Sequence, residues 1–316
     1  MPYRDGGPAV IHPHHPPSPP TTSTFVHVVP HYYPAAAMVP PPSSYTPAMF
    51  STASAVVVSK AEVRDVWAFN LEEELTTIAS MLPYYPCVCV DTEFPGAVHD
   101  DPGTPRYLRG PRESYALVKR NVDDLKLLQV GVALSSGAAG GRCRIAWQFN
   151  IAGFDPARDP HAPASIAMLR AHGMDLAALR DHGVRPDDFA AGFYRCGLGC
   201  GQLTWAAFAG AYDFAYLAKA LTCGAPLPET LDGFHALVKG LFGPKVLDVK
   251  HLAKCCGIRG GLEQVAAAIG VERVAGRAHC AGSDSLLTID VFMVMVDRFF
   301  RNCNVLSHAG TIADLA

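Results

Sequence analysis

The 316-residue chain has no Cys-x-x-Cys pair among its ten cysteines and no marked excess of one charge. It also has no apolar run approaching the ~20 residues that a membrane span requires. Each absence excludes something. Without paired cysteine spacing a zinc ribbon is not expected, and a secreted disulfide scaffold would be unusual at this length. The thiols therefore read as free and buried, in a reducing compartment. The start of the chain shows no apolar stretch behind a basic segment, so no secretory signal is expected; the cytoplasm and nucleus are the expected locations, with no membrane partner. A net charge of −3, with 13 His taken as neutral, spreads no basic field over the molecule. A nucleic-acid partner would have to be drawn by a local patch or by bound metal.

What is present falls into unlike parts. Residues 1–58 carry half of the 26 Pro, but only Arg4 and Asp5 bear charge. Runs such as PPSPPTTST and MVPPPSSYTP lack backbone donors and fix φ, which predicts a disordered, partly polyproline tail. From residue 59 the composition turns globular. Apolar spacing in VRDVWAFNLEEELTTIASML predicts a helix, with Asn70 as an N-cap before LEEEL. CVCVD, LKLLQVGVAL (125–134) and RIAWQFN (144–150) predict the strands of an antiparallel meander. SIAMLRAHG, DLAALRDHG and PDDFAAGFYRCGL read as helices ending at Gly. LTWAAFA reads as a strand running into the helix AYDFAYLAKALT. A short strand at VLDV, helices at KHLAKCCG and GLEQVAAAIGV, and a buried last helix from Ser283 to Phe300 complete the pattern. Strands first, then helices alternating with strands, indicate an α/β sheet with helices on both faces.

The candidate chemistry lies in the acids. Asp91 and Glu93, in CVCVDTEFPG, are two apart on a strand and so share a face. Two carboxylates buried together repel unless one takes a proton or a cation sits between them; the alternative is a strand end with solvated acids. Asp213 sits where LTWAAFA gives way to a helix, the place where α/β sheets carry their chemistry, and also where Asp commonly caps. His279 and Asp284 lie in AHCAGSDSLLTIDVF, where Asp284 opens the last helix and suits capping or metal equally. Other acids read as structural: Asp248 as a helix cap, Asp123, Asp124, Asp187 and Asp188 as solvated turns, and Glu72 to Glu74 as an exposed helix start. PRYLRGPRESYALVKRN (105–121) interleaves Arg106, Arg109, Arg112, Lys119 and Arg120 with Tyr107 and Tyr115. It reads either as a loop that touches phosphates and stacks a base, or as a solvated loop of mixed charge.

Taken jointly, D-x-E on a strand, Asp at a strand-to-helix switch and H-x4-D opening a final helix match the DEDDh exonucleases. More narrowly, VDTEFPG, NVDDLKLLQVGVAL, WQFN, YDFAYLAKALT, LDVKHLAKCC, GGLEQVA and AGSDSLLT resemble the deadenylase family of CCR-four-associated factor one, or POP-two. Ala211 and Ala215 stand where that family usually has Gly, and Cys280 where a Gln often follows the His. The resemblance implies a ribonuclease H-like fold with a mixed central sheet, an exonuclease domain over 59–302 and a C-terminal extension over 303–316. It implies Asp91, Glu93, Asp213 and Asp284 as ligands of two divalent ions, Mg²⁺ or Mn²⁺, and His279 as the general base. It further implies 3′→5′ shortening of poly(A) RNA with release of 5′-AMP, and docking to the NOT scaffold and the leucine-rich-repeat nuclease subunit of the CCR–NOT complex. Two other readings remain open: a DEDDh exonuclease acting on other RNA or DNA 3′ ends, and a mainly scaffolding subunit.

Overall fold

The computed structural model describes residues 61–101, 103–105, 108–136 and 142–316. The tail predicted for 1–58 lies outside them, as do Arg106 and Tyr107. In chain order the elements are β1 (Glu62–Val66), α1 (Leu71–Met81), β2 (Cys87–Glu93), α2 (Pro111–Asp124), β3 (Gln129–Ser135), β4 (Arg142–Asn150), α3 (Pro163–Ala171), α4 (Leu176–His182), α5 (Pro186–Arg195), β5 (Thr204–Ala207), α6 (Ala211–Leu221), α7 (Leu231–Phe242), β6 (Val246–Asp248), α8 (Val249–Cys255), α9 (Leu262–Ala268) and α10 (Ala281–Phe299).

The six strands form one sheet in the order β1-β4-β3-β2-β5-β6. The predicted meander is there: β3 runs antiparallel to both β2 and β4, while β1–β4, β2–β5 and β5–β6 are parallel. Alternation along β2 sorts its side chains between two cores. Val88 and Val90 pack with Leu75, Val118, Phe193, Phe214 and Phe234 of the helices on one face. Cys89 packs on the other face with Leu252, Val265 and the apolar side of α10. Helices thus cover both faces, and Asp91 and Glu93, in phase with Cys89, belong to the α10 side. The last helix is buried as expected through Met295, after which Arg298 and Phe299 emerge into solvent.

Several sequence expectations give way. The segment from Val63 is not helical: Glu62 to Val66 pair in parallel with Ile145 to Phe149, because a nine-residue β4 offers its outer edge to a short β-branched partner. Helix α1 then begins after Asn70, whose side chain accepts from the Trp67 N–H at 2.7 Å rather than capping α1. The basic stretch after Gly110 is not a loop but α2. Its Tyr115 is buried and donates its hydroxyl to the Pro228 carbonyl at 2.6 Å, so it cannot stack a base. Lys119 is held by Asp123 and Glu229, and Arg109 by Asp100 and the carbonyls of Asp101 and Thr104. Asp123 is likewise no solvated turn, since it also accepts the Leu227 N–H. The thiols are only partly buried: Cys200, Cys223, Cys255 and Cys303 are exposed.

Glu74, expected at an exposed helix start, is also corrected. It is buried and accepts the indole N–H of Trp147 at 2.8 Å while pairing with Arg64. Removing a carboxylate that satisfies a buried donor leaves that donor with neither protein nor water. Glu74→Ala is expected to cost about 2–3 kcal/mol, and Glu74→Gln, which keeps an acceptor, clearly less. Urea unfolding of the two variants checks this; equal midpoints would remove Trp147 from the account.

Beyond α10 the chain turns through a short 3-10 helix (Val305–His308) and returns to the sheet. The Gly310 N–H donates to the Val246 carbonyl at 2.8 Å, and Ile312 and Leu315 are buried in the larger core. Asp248 caps α8 as expected, accepting from the N–H groups of Lys250 and His251, but it also takes those of Ala209, Gly210 and Ala313. One carboxylate thereby ties the C-terminal segment to the turn that begins α6.

Candidate active site

Strand β5 pairs with β2 only from Cys87 to Val90 and then turns away into α6. The next three residues of β2, Asp91 to Glu93, stay paired with β3 on one side but have no strand on the other. Asp213, in the first turn of α6, fills that opening, and its Oδ1 accepts the Thr92 hydroxyl at 2.7 Å. Thr92 points to the α6 face while Asp91 and Glu93 point to the α10 face. The end of the short β5 thus allows an acid from one layer to meet two acids from the other.

Asp284 arrives through a close backbone approach. Gly131 lies opposite Asp91 on β3, and the first turn of α10 packs directly over it. The Gly282 N–H donates to the Gln148 side chain at 3.2 Å, fixing the helix start on β4. Asp284, one turn in, accepts the backbone N–H of His279 at 2.9 Å and pairs with Arg273. Arg273 also binds Glu263 and Ser283, so α9, the following loop and α10 share one guanidinium. His279 has φ of 58°, a left-handed conformation in which its N–H turns toward Asp284. Its exposed ring lies edge-on to His172, with ring centres 4.8 Å apart. Ligand atoms of Glu93, His279 and Asp284 lie within 4.8 Å of one another.

The structure therefore brings together all five residues singled out in the sequence, from β2, α6 and the start of α10. Ala211 and Ala215, where Gly was the family expectation, fit as buried residues of α6. Cys280 directs its thiol to the His172 carbonyl. Sequence reasoning missed Thr92, His172 and Arg273. Thr92 lay inside the DTE motif with a side chain on the opposite face, whereas no spacing marked the other two.

The electrostatics are those of a crowded anion site. Burial pushes the Asp91 carboxyl well above the usual range, and the charges of Asp213, Asp284 and Glu93 push it further. Glu93 rises to about 8, from burial and then from Asp284 and Asp213. Asp213 rises to about 7 through burial, against the opposing hydrogen bond from Thr92. Asp284 is also raised by burial, with Arg273 and the His279 N–H pulling the other way. An all-oxygen donor set of this charge density fits hard divalent cations such as Mg²⁺ or Mn²⁺ and does not suit thiolate-seeking metals.

These shifts set the pH dependence of the metal-free protein. The folded state keeps protons that the unfolded chain releases near 3.8 for Asp213 and 4.5 for Glu93. Their contribution to stability is therefore full below about 4, declines as pH rises, and is gone above about 8. Chelated wild-type protein is expected to lose stability across that window relative to Glu93→Gln, whose slope should be flatter. Parallel slopes in denaturant titrations would contradict the shifts.

A mixed sheet with carboxylates converging at the open end of its second strand, and a His beside the last of them, defines a ribonuclease H-like nuclease domain of the DEDD type. Residues 66–186 match the model described as CAF1 family ribonuclease. The chain is 38% identical over 249 residues to the probable CCR4-associated factor 1 homolog 7 of Arabidopsis thaliana, covering 76% of this chain and 88% of that one. It is 36% identical over 241 residues to the poly(A) ribonuclease pop2 of Schizosaccharomyces pombe, covering 75% and 70%. The solved structure of S. pombe Pop2p in its Mg²⁺- and Mn²⁺-bound form superposes with a TM-score of 0.73 at 35% identity, covering 80% of this chain and 99% of that one. The chain belongs to the CAF1 family of ribonucleases.

Proposed function

We propose that this chain is a 3′→5′ exoribonuclease that shortens poly(A) tails and releases 5′-AMP. The observation that carries the reading is the convergence of Asp91 and Glu93, Asp213 and Asp284 from three separate segments at the unpaired end of β2. In this reading Asp91, Glu93, Asp213 and Asp284 hold two Mg²⁺ or Mn²⁺ ions. Such ions supply Lewis-acid stabilisation of the charge that develops during in-line phosphoryl displacement. Thr92 orients Asp213 through its hydroxyl, and Arg273 with the His279 N–H orients Asp284. His279, at the exposed rim, accepts the proton of the attacking water on an imidazole nitrogen, and the 3′-oxygen of the shortened RNA leaves. Adenine preference is supported by the name of the S. pombe relative, a poly(A) ribonuclease. In this reading the chain docks to the NOT scaffold and the leucine-rich-repeat nuclease of the CCR–NOT complex; the name of the Arabidopsis relative, a probable CCR4-associated factor 1 homolog, supports association with a CCR4 protein. The reading places the nuclease domain at 59–302 after a Pro-rich tail, with the C-terminal extension over 303–316 packed onto that domain's core, and the protein in the cytoplasm and nucleus.

The test is a 5′-labelled RNA whose A-tail follows mixed sequence, incubated with purified protein and Mg²⁺ or Mn²⁺. Stepwise loss from the 3′ end that slows at the tail boundary is expected. Uniform passage through mixed sequence would make it a general exonuclease, and inactivity with every divalent ion would favour a scaffolding subunit.

A further inference from the structure

A second cluster of metal-ligating side chains lies away from the nuclease acids. His251 and Cys255 are one turn apart on α8, so they share a helix face. His308 comes from the 3-10 helix that follows α10. The Nε2 of His251 lies 3.2 Å from the Nδ1 of His308, and the Cys255 Sγ lies 3.6 Å from the first and 4.0 Å from the second. These separations can be compared with the edges of a zinc tetrahedron. Zn–N bonds of about 2.0–2.1 Å and a Zn–S bond of about 2.3 Å place ligand nitrogens about 3.3 Å apart and sulfur about 3.6 Å from each nitrogen. Two of the three edges agree, and the third closes with a shift of a few tenths of an ångström in the exposed Cys255 side chain.

We propose that His251, Cys255 and His308 form a zinc site that clamps the C-terminal segment to α8. One thiolate and two imidazoles select zinc over the hard ions that suit the nuclease acids. Burial and the neighbouring His308 hold the His251 imidazole below the usual histidine range, favouring the neutral ligand form; nearby Asp248 and Lys254 act in opposite senses. The Phe300 ring packs edge-on against His308, with ring centres 5.5 Å apart, and helps to fix its orientation. Exposure of Cys255 leaves an entry path and room for water at the fourth position. Binding releases the thiol proton and forms one Zn–S and two Zn–N bonds, with no change of oxidation state. The clamp closes two residues before Gly310 rejoins β6 and five before Ala313 reaches Asp248. It therefore holds in place the segment that buries Ile312 and Leu315. A hydrogen-bonded pair of imidazoles would also give the 3.2 Å contact, but it would not require the thiol.

The experiment uses the full chain, its Cys255→Ser and His308→Ala variants, and circular dichroism to confirm that each is folded. Each protein is loaded with zinc, passed through a desalting column and analysed for bound metal; cobalt loading is followed by absorption. Wild type is expected to retain one more zinc per chain than either variant. It should also show a thiolate-to-cobalt charge-transfer band that Cys255→Ser lacks, and a rise in melting temperature with zinc that both variants lose. Equal zinc in all three proteins, with no thiolate-dependent band, would place the metal on the nuclease acids alone and overturn the proposal. Variants that do not fold would be replaced by carbethoxylation of His308 in the wild-type protein: protection by zinc supports the site, and unchanged labelling opposes it.

Discussion

Asp91→Asn is expected to abolish metal-dependent RNA cleavage, by on the order of a thousandfold or more, or ~4 kcal/mol of barrier. The same change should leave the metal-free protein at least as stable as wild type at pH 8. Both halves follow from one feature. Asp91 lies at the centre of the acid set, its carboxyl pushed up by burial and by the charges of three neighbouring carboxylates. A neutral amide of nearly the same shape removes that repulsion while giving up the charge a divalent ion would need. Thermal unfolding in chelator should therefore show an unchanged or higher midpoint for the variant. Added Mn²⁺ should stabilise wild type by mass action and the variant far less. An active variant would sink the assignment of Asp91. An inactive variant that also melts much earlier in chelator would mean that its role is structural.

Much of this site was legible because its chemistry is written in short local patterns. D-x-E fixes a shared strand face whatever the fold, and the strand-to-helix switch at Asp213 follows from the apolar run of β5 meeting the α6 period. What could not be read were partners brought together only by the sheet. Glu74 looked like one of three exposed acids, yet its acceptor role depends on Trp147 on β4. Arg273 carries no motif, and its place among Glu263, Ser283 and Asp284 exists only after α9 and α10 have packed. Strand β1 reads as helix in the sequence because Val63 and Val66 are three residues apart and a true helix follows. The reverse error at α2 had a visible remedy: Tyr115, Val118 and Val122 lie at helical spacing and are all buried, but the surrounding charges masked the stripe. The sharp close approach at Gly131 was equally hidden, since a Gly inside a β-branched run is read first as a weak strand position.

That close approach yields the second large effect, at a residue that carries no side chain. A Cβ placed on Gly131 would lie 1.8 Å from the Ala281 carbonyl oxygen, 2.2 Å from its carbon and 2.7 Å from the Gly282 nitrogen. All three are backbone atoms, so no side chain can rotate away; the first turn of α10 must lift from β3. That turn carries Asp284 and the N–H contact to His279, while Asp91 stands directly opposite Gly131 on β2. Gly131→Ala should therefore separate acids that the native packing brings together. Overpacking of this kind costs about 1–3 kcal/mol. Misplacing a site by about 1 Å costs on the order of a hundredfold in rate. The paired control is Gly240→Ala, in the last turn of α7, where an added Cβ meets nothing within 4 Å. There the same methyl should stabilise the protein slightly, by at most about 0.5 kcal/mol this close to the helix end, and leave cleavage unchanged. Denaturant unfolding and the rate of 3′-end shortening, measured on both variants, distinguish packing from propensity. A Gly131→Ala protein with wild-type stability and rate would mean that α10 does not rest on β3 as described, and that Asp284 reaches the other acids by another route.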